Sequence, residues 1–401
     1  MGPPAAARAA LLAARQRTLA LADDVRAGLG AAFPRIPYAP QLNPPLWELG
    51  HVAWFQEWWL ARNRQCALGA ACDPDHARPP SLLPQADDWY DSSRVAHRTR
   101  WELPLPDWHA TRDYLERTLA GTLQLLDALP PDAGDDLLYF FRLTALHEEM
   151  HAEAAIYMAQ TLAFAVRTDV ALPARDVAAE LELPAQRFEL GAAGAGFAFD
   201  NELQRHEVGV PAMGIDAEPV TWARFVPFVE AGGYEQPRWW SAAGLDWLGR
   251  HGVPHPERVR RSGNGWQQRH GDRWLPLDPS RPAVHLTAHE AEAWCRWAGR
   301  RLPTEAEWEC AAFTLPGFSW GQVWEWTATP FEPYPGFTAH PYRDYSAPWF
   351  GSRRVLRGAS PATAPALAHA RYRNFFEPHR NDVFAGFRSS RAAGGPSDPA
   401  V

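Results

Sequence analysis

The sequence predicts an α+β chain of two domains, a four-helix bundle followed by a domain of short strands and loops. Three observations lead there. At 401 residues the chain has the length of about two domains. With 46% hydrophobic and 21% charged residues it can bury a core. Apolar residues recur at three- and four-residue spacing early in the chain. That period then gives way to Gly, Pro, Trp and short strand-like runs. The change falls in 170–183, where Ala, Asp, Glu and Pro dominate and a linker is expected. The domains are therefore expected at 1–172 and 173–395, with a tail at 396–401.

The first helix is expected over 5–30, with Leu11, Leu12, Leu19, Leu21 and Val25 on its apolar side and a glycine at its end. The second is announced by Asn43-Pro44, an N-cap residue followed by proline at the first helical position. It runs through Leu46, Trp47, Leu49, Val52, Phe55 and Trp59. A third spans about 107–129 and is stopped by Pro130-Pro131. A fourth spans about 135–164. Four helices with one long connection, about 65–106, make a bundle whose metal site would lie between facing helices. In the second half, 186–191 and 354–358 look like strands ending in turns. Two helices are expected there, at about 221–230 and 287–298, the second closed by Gly299. The remainder is expected as irregular loops, the segments that carry binding residues.

Composition narrows the function classes. Net charge is −8, and no run of Lys and Arg points to nucleic acid or an acidic membrane surface. The four cysteines form no C-x-x-C pair, which suits a reducing compartment and offers no sulfur-rich metal site. Arg8 and Arg15 interrupt the Ala-rich start before a signal-peptide core or spanning helix develops. A soluble cytoplasmic protein is expected. Twenty tryptophans are far above ordinary usage. Tryptophan is the best side chain for holding an organic cation over its ring, although most will serve the core.

The chemistry centres on Leu146-His147-Glu148-Glu149-Met150-His151-Ala152-Glu153. His147 and His151 are four apart, so they share one helix face and can grip one divalent cation. Two buried neutral imidazoles with neither cation nor acceptor would be costly. His51, among apolar and aromatic residues in the second helix, is the third candidate. Glu153 points to nearly the opposite side. Three nitrogens from two helices leave open positions on an octahedral metal, as in non-haem iron oxygenases with the carboxylate replaced by a third histidine. Ligand type alone leaves zinc and other first-row metals open. The string also reads His-Glu-x-x-His, so a zinc hydrolase with Glu148 as general base is a rival. Its downstream third ligand would come from Glu180 or Glu182 in the linker, and His51 is the better third ligand.

Four strings stand out in the second half: 293–309 with Leu302-Pro303-Thr304-Glu305-Ala306-Glu307-Trp308-Glu309; Val323-Trp324-Glu325-Trp326-Thr327; 355–360; and Arg371-Tyr372-Arg373-Asn374-Phe375-Phe376 followed by Gly386-Phe387-Arg388. They resemble the formylglycine-generating-enzyme fold, a C-type-lectin-like domain, and most of them read as scaffold. The copper enzymes of that fold need a cysteine pair near the last motif, where this chain has Phe375 and Phe376. Formylglycine generation is therefore not expected. Leu46-Trp47-Glu48-Leu49-Gly50-His51 together with H-x-x-x-H-x-E resembles the DinB-like bundle of the ergothioneine-type sulfoxide synthases. Bundle plus formylglycine-enzyme-like domain is that family's architecture, and the resemblance covers about 15–391.

The resemblance implies a mononuclear Fe(II) on His51, His147 and His151, and O2-dependent joining of a chalcogen to the imidazole C2 of hercynine; the substrates are expected in a cleft between the domains. It implies substrate contacts from Asn374 and Arg380, with Met150 grouped among them. Phe375 and Phe376 stand where some members place a Trp-Asp pair. Arg100 and His97 stand where members using γ-glutamylcysteine place two arginines. A tyrosine serves as proton donor in the family; Tyr345 is the first candidate and Tyr342 the second. The strings 43–51 and 55–59 look closest to the selenoneine-synthase branch, which couples a selenosugar to hercynine. A neutral donor would explain the missing charged contacts. Carbon–sulfur bond formation with cysteine or γ-glutamylcysteine is the alternative. A non-catalytic lectin-like binding module on a helical bundle is a third reading.

Overall fold

The computed structural model describes residues 2–166, 179–194 and 196–392. They form two compact units. One comprises Met1–Asp169 with two later pieces, Gly194–Phe199 and Thr338–Tyr345. The other comprises Val170–Ala193, Asp200–Phe337 and Ser346–Val401. The division is thus not contiguous, and the segment carrying Tyr342 and Tyr345 clusters with the helices. The boundary expected at 172/173 and the tail at 396–401 lie outside the described residues.

The first unit holds α1 (Pro3–Leu29), α2 (Pro45–Trp59), α3 (Ala86–Tyr90), α4 (Trp108–Asp127) and α5 (Asp135–Thr161). The four long helices form the bundle, with α1 along α5 and α2 along α4. Asp107 caps α4 by accepting from the Ala110 N–H at 2.9 Å. The start of α2 differs from expectation by one residue. Pro44 is the N-cap and Pro45 the first helical residue, because the Asn43 side chain is engaged elsewhere, with Glu48 and Arg100. The long connection is not featureless: it carries α3 and short 3-10 turns at Cys66–Ala71 and His97–Trp101. α2 is buried almost all round, whereas α4 is amphipathic. A buried ion pair ties α1 to α5. Arg15 Nε donates to Glu148 Oε1 at 2.7 Å, and Arg15 also reaches Gln56 and the Leu115 carbonyl.

The second unit contains twelve strands among the described residues. β1 (Glu180–Leu183) and β12 (Ser390–Ala392) flank β4 (Met213–Asp216), antiparallel on both sides. β2 (Gln186–Leu190) pairs with β3 (His206–Val210). β5 (Val259–Ser262), β6 (Gly265–His270) and β7 (Arg273–Pro276) form a meander. The central sheet runs β10 (Asn374–Phe376), β9 (Arg354–Gly358), β8 (Trp324–Pro330), β11 (Ala385–Gly386), with only the β8–β11 pairing parallel. Four helices accompany them: α6 (Trp222–Glu230), α7 (Ala242–His251), α8 (Ala288–Trp297) and α9 (Glu305–Thr314).

Two expectations need correction here. Part of the supposed linker is strand β1, whose Leu183 is buried in the core with Met213 and Ile215. The stretch expected as loops includes α7, α9 and the β5–β7 meander. α9 opens with a full capping box, Thr304 and Glu307 each bonding the other's backbone N–H, as do Thr287 and Glu290 at α8.

The quoted strings build the interior of this unit. Arg357 pairs with Glu309, Arg373 with Glu305 and Arg388 with Glu325, all six buried. Trp308 Nε1 also donates to Glu325, and Trp326 Nε1 to the Leu286 carbonyl. No helix among the described residues is long and apolar enough to cross a membrane.

Candidate metal centre

Within the first unit, α2 and α5 bring His51, His147 and His151 together. One nitrogen from each lies within 4.8 Å of the others, the one such cluster among the described residues. The Nε2 atoms of His147 and His151 are 3.2 Å apart. Two nitrogens about 2.1 Å from a shared ion, at right angles, would sit about 3 Å apart. The donor set therefore fits one first-row transition metal.

Each ring is held from behind. His51 Nδ1 donates to the Tyr90 carbonyl at 2.8 Å, leaving Nε2 with its lone pair. His151 Nδ1 donates to the Glu48 carboxylate, which also accepts from Asn43 Nδ2. His147 lies flat on Phe55, ring centroids 3.6 Å apart and planes 6° from parallel. Trp47 stacks on the outer face of His51 at 4.9 Å. Gly50 lets Tyr90 approach: a Cβ there would fall 2.2 Å from the Tyr90 ring.

The electrostatics favour neutral rings. Burial, reinforced by the charge on His151, brings His51 down to about 3, against the pull of the Tyr90 carbonyl and Glu48. Burial first, then the two neighbouring histidines, holds His147 well below the ordinary histidine value. Burial alone would raise Glu48, but His151, with help from His51 and Asn43, outweighs it and brings the carboxyl down to about 2. Two of the three imidazoles are thus held neutral, with an anchored carboxylate behind the third, which suits the site to a cation.

The other expected residues are distributed as follows. Arg100 lies 3.8 Å above the Trp47 ring and donates to Asn43 Oδ1 at 2.9 Å. It thus connects to the triad through Trp47 and through the Asn43–Glu48–His151 chain. His97 Nε2 donates to the Leu42 carbonyl at 2.8 Å. Met150 is half-buried, one residue before His151. Tyr342 packs edge-on against Phe55 at 4.8 Å and His147 at 5.9 Å. Tyr345 stacks on Phe199 at 4.1 Å and lies 5.9 Å from Tyr342.

In the second unit, Asn374, Phe375 and Phe376 form β10. Phe375 stacks on Phe331 at 4.0 Å. Arg380 lies 5.1 Å from the Phe376 ring and pairs through both sides of its guanidinium with Asp382. Glu148 is not at the metal cluster. Its two oxygens face Arg15, so the general base of the hydrolase reading is already committed to an ion pair. Glu153 accepts from Tyr157, one turn along α5.

Glu48, Asn43, Tyr90 and Phe55 complete the surroundings, and none of them is expected from sequence as a site residue. Glu48 was legible in principle, three residues before His51 on the same helix. The contribution of Tyr90 is a backbone carbonyl, which no sequence pattern announces.

A helical bundle with a three-histidine cluster, joined to a domain of short sheets, defines a two-domain protein with one candidate mononuclear metal centre. Residues 4–159 match the DinB superfamily, and residues 167–320 and 317–393 match the sulfatase-modifying factor enzyme 1-like domain. Hercynine oxygenase of Mycolicibacterium smegmatis is 33% identical over 437 residues, covering 94% of this chain and 96% of that protein. The hercynine oxygenase of Mycobacterium tuberculosis is 33% identical over 440 residues, with coverage of 94% and 96%. The formylglycine-generating enzyme of Streptomyces coelicolor is 31% identical over 252 residues, covering 46% of this chain and 79% of that protein. The chain belongs to the hercynine oxygenase family, the ergothioneine-type sulfoxide synthases that join a DinB-type bundle to a formylglycine-enzyme-like domain.

Proposed function

We propose that the chain is a mononuclear non-haem iron oxidoreductase that uses O2 to join a chalcogen to the imidazole C2 of hercynine, with a selenosugar as the donor. The observation that carries the iron assignment is the convergence of three imidazoles in a chain of this family. Iron(II), held by His51, His147 and His151, would supply open coordination positions and one-electron chemistry.

The chain's own residues supply the rest. The Tyr90 carbonyl and Glu48 orient two of the ligand rings, and Phe55 fixes the third by contact. Tyr342 is the better placed of the two tyrosines to manage a proton. Burial, with the charges of Asp344 and Asp91, raises its hydroxyl above the usual tyrosine range, so it is held as a donor. Tyr345 lies behind it, ring to ring. In the second unit, Phe375 and Phe376 offer apolar walls beside Asn374 and Arg380, which suit a donor without a second charged group.

The sulfur reading has its own support in Arg100, one cation kept beside the triad that could meet a thiol donor's carboxylate. Purified iron-loaded enzyme given hercynine with equal selenosugar and γ-glutamylcysteine separates them. The selenium reading expects the C–Se product to dominate by mass; a dominant C–S product replaces it with the sulfur reading. His51→Ala, His147→Ala or His151→Ala should each abolish turnover and stoichiometric iron while leaving the protein soluble. Full activity in any one of them removes the metal assignment.

A further inference from the structure

A cavity of about 40 Å3 lies between α1, α2 and α5, and its inner wall is Glu48 and His151. It has roughly three times the space that one water needs. Leu21, Val25 and Val52 make its sides, and Met158 is among its partly exposed walls. Water is poorly suited to it. A buried water needs two to four polar partners. The Glu48 carboxylate is already engaged by His151 and Asn43, and the His151 nitrogens by Glu48 and His147. The Thr18 hydroxyl is the remaining polar side-chain group lining the space, and it has no protein partner. One hydroxyl gives a water a single partner where two or more are needed, and a space walled this largely by aliphatic side chains takes small apolar molecules instead.

α1 contributes no candidate metal ligand, yet together with α2 and α5 it leaves this space open against the back of a ligand ring. A single larger side chain at Ala22 would close it. We propose that the cavity is a docking site for dioxygen beside the metal centre. The proposal rests on the O2-dependent reading above. Its occupant is neutral, apolar and two atoms long, and it is stored where the bundle wall meets His151.

The test uses the full chain. Metal-free wild type is exposed to xenon under pressure, with binding read by 129Xe NMR and by anomalous scattering in crystals. Xenon should bind between α1, α2 and α5, and Ala22→Leu should remove it. In iron-loaded Ala22→Leu the KM for O2 should rise at least threefold, while the KM for hercynine and the iron affinity stay within twofold of wild type. If Ala22→Leu does not fold, Val25→Phe carries the same comparison. Thr18→Val, which keeps the space and removes its hydroxyl, should bind xenon at least as tightly as wild type. No xenon in the wild-type cavity overturns the proposal. So does loss of xenon in the filled variant with an unchanged KM for O2. If wild type with hercynine and donor consumes no O2, the functional reading falls and the dioxygen assignment falls with it, whatever xenon does.

Discussion

Glu148→Gln distinguishes a structural carboxylate from a catalytic one. The side chains of Arg15 and Glu148 are 3% and 1% exposed, with Nε–Oε1 and Nη2–Oε2 separations of 2.7 and 3.1 Å. Removing one member of a buried pair leaves the other charge stranded, which costs about 3–5 kcal/mol. Glu148→Ala should show that full loss. Glu148→Gln keeps one acceptor for the guanidinium and should lose less, on the order of 2 kcal/mol. Arg15→Met combined with Glu148→Leu removes both charges and should recover most of the stability, a coupling of roughly 2–3 kcal/mol. The assay is urea denaturation of chelator-treated protein, followed by far-UV circular dichroism, alongside iron affinity and turnover. Iron affinity of Glu148→Gln should stay within about threefold of wild type, since the carboxylate faces Arg15 rather than the triad. The reasoning is refuted if Glu148→Gln is as stable as wild type, still holds metal and is inactive. That result would restore the general base of the hydrolase reading.

Three further outcomes are expected. Glu48→Gln removes the anion behind His151 and should weaken metal binding by about 10- to 100-fold, measured by chelator competition; unchanged affinity would show that His151 needs no such partner. Gly50→Ala drives a methyl into Tyr90 and should cost about 1–3 kcal/mol or more. Adding Tyr90→Ala relieves the clash but keeps the carbonyl on His51, so metal affinity should partly return; no recovery would mean the clash is not the cause. Burial first, then Arg258, holds His285 well below the ordinary histidine value. The unfolded chain therefore takes up a proton near pH 6.5 that the folded chain refuses. Stability should be intact above that pH and fall below it by up to about 1.4 kcal/mol per unit. Urea curves at pH 7.5 and 5.5 should show a drop that His285→Gln reduces; an equal drop in both proteins would exonerate His285.

The bundle helices were legible because each buries an apolar stripe with a 3.6-residue period. That the histidines of α5 share a face followed from their spacing alone. The exact start of α2 was not legible. Asn43 looks like a cap, but its amide is drawn to Glu48 and Arg100, partners 5 and 57 residues away. The β5–β7 meander was missed because its strands are rich in Arg, Gln and Trp rather than alternating apolar and polar. Its turns were nonetheless written in Gly263-Asn264 and Gly271-Asp272, with both glycines at positive φ. The start of α9 was present as Thr304-x-x-Glu307, a capping box read only as part of a familiar string. The role of Glu148 could not be read locally, because its partner Arg15 lies 133 residues away.

The three interior Arg–Glu pairs of the second unit bear on how such chains can diverge. At each pair, a lone change strands an ion in a dry place, so the two members are free to drift only together. The familiar strings around Glu305, Glu309 and Glu325 therefore mark an internal frame rather than a reaction. A chain can change the residues around such a frame and keep the frame that makes it look like its formylglycine-generating relatives.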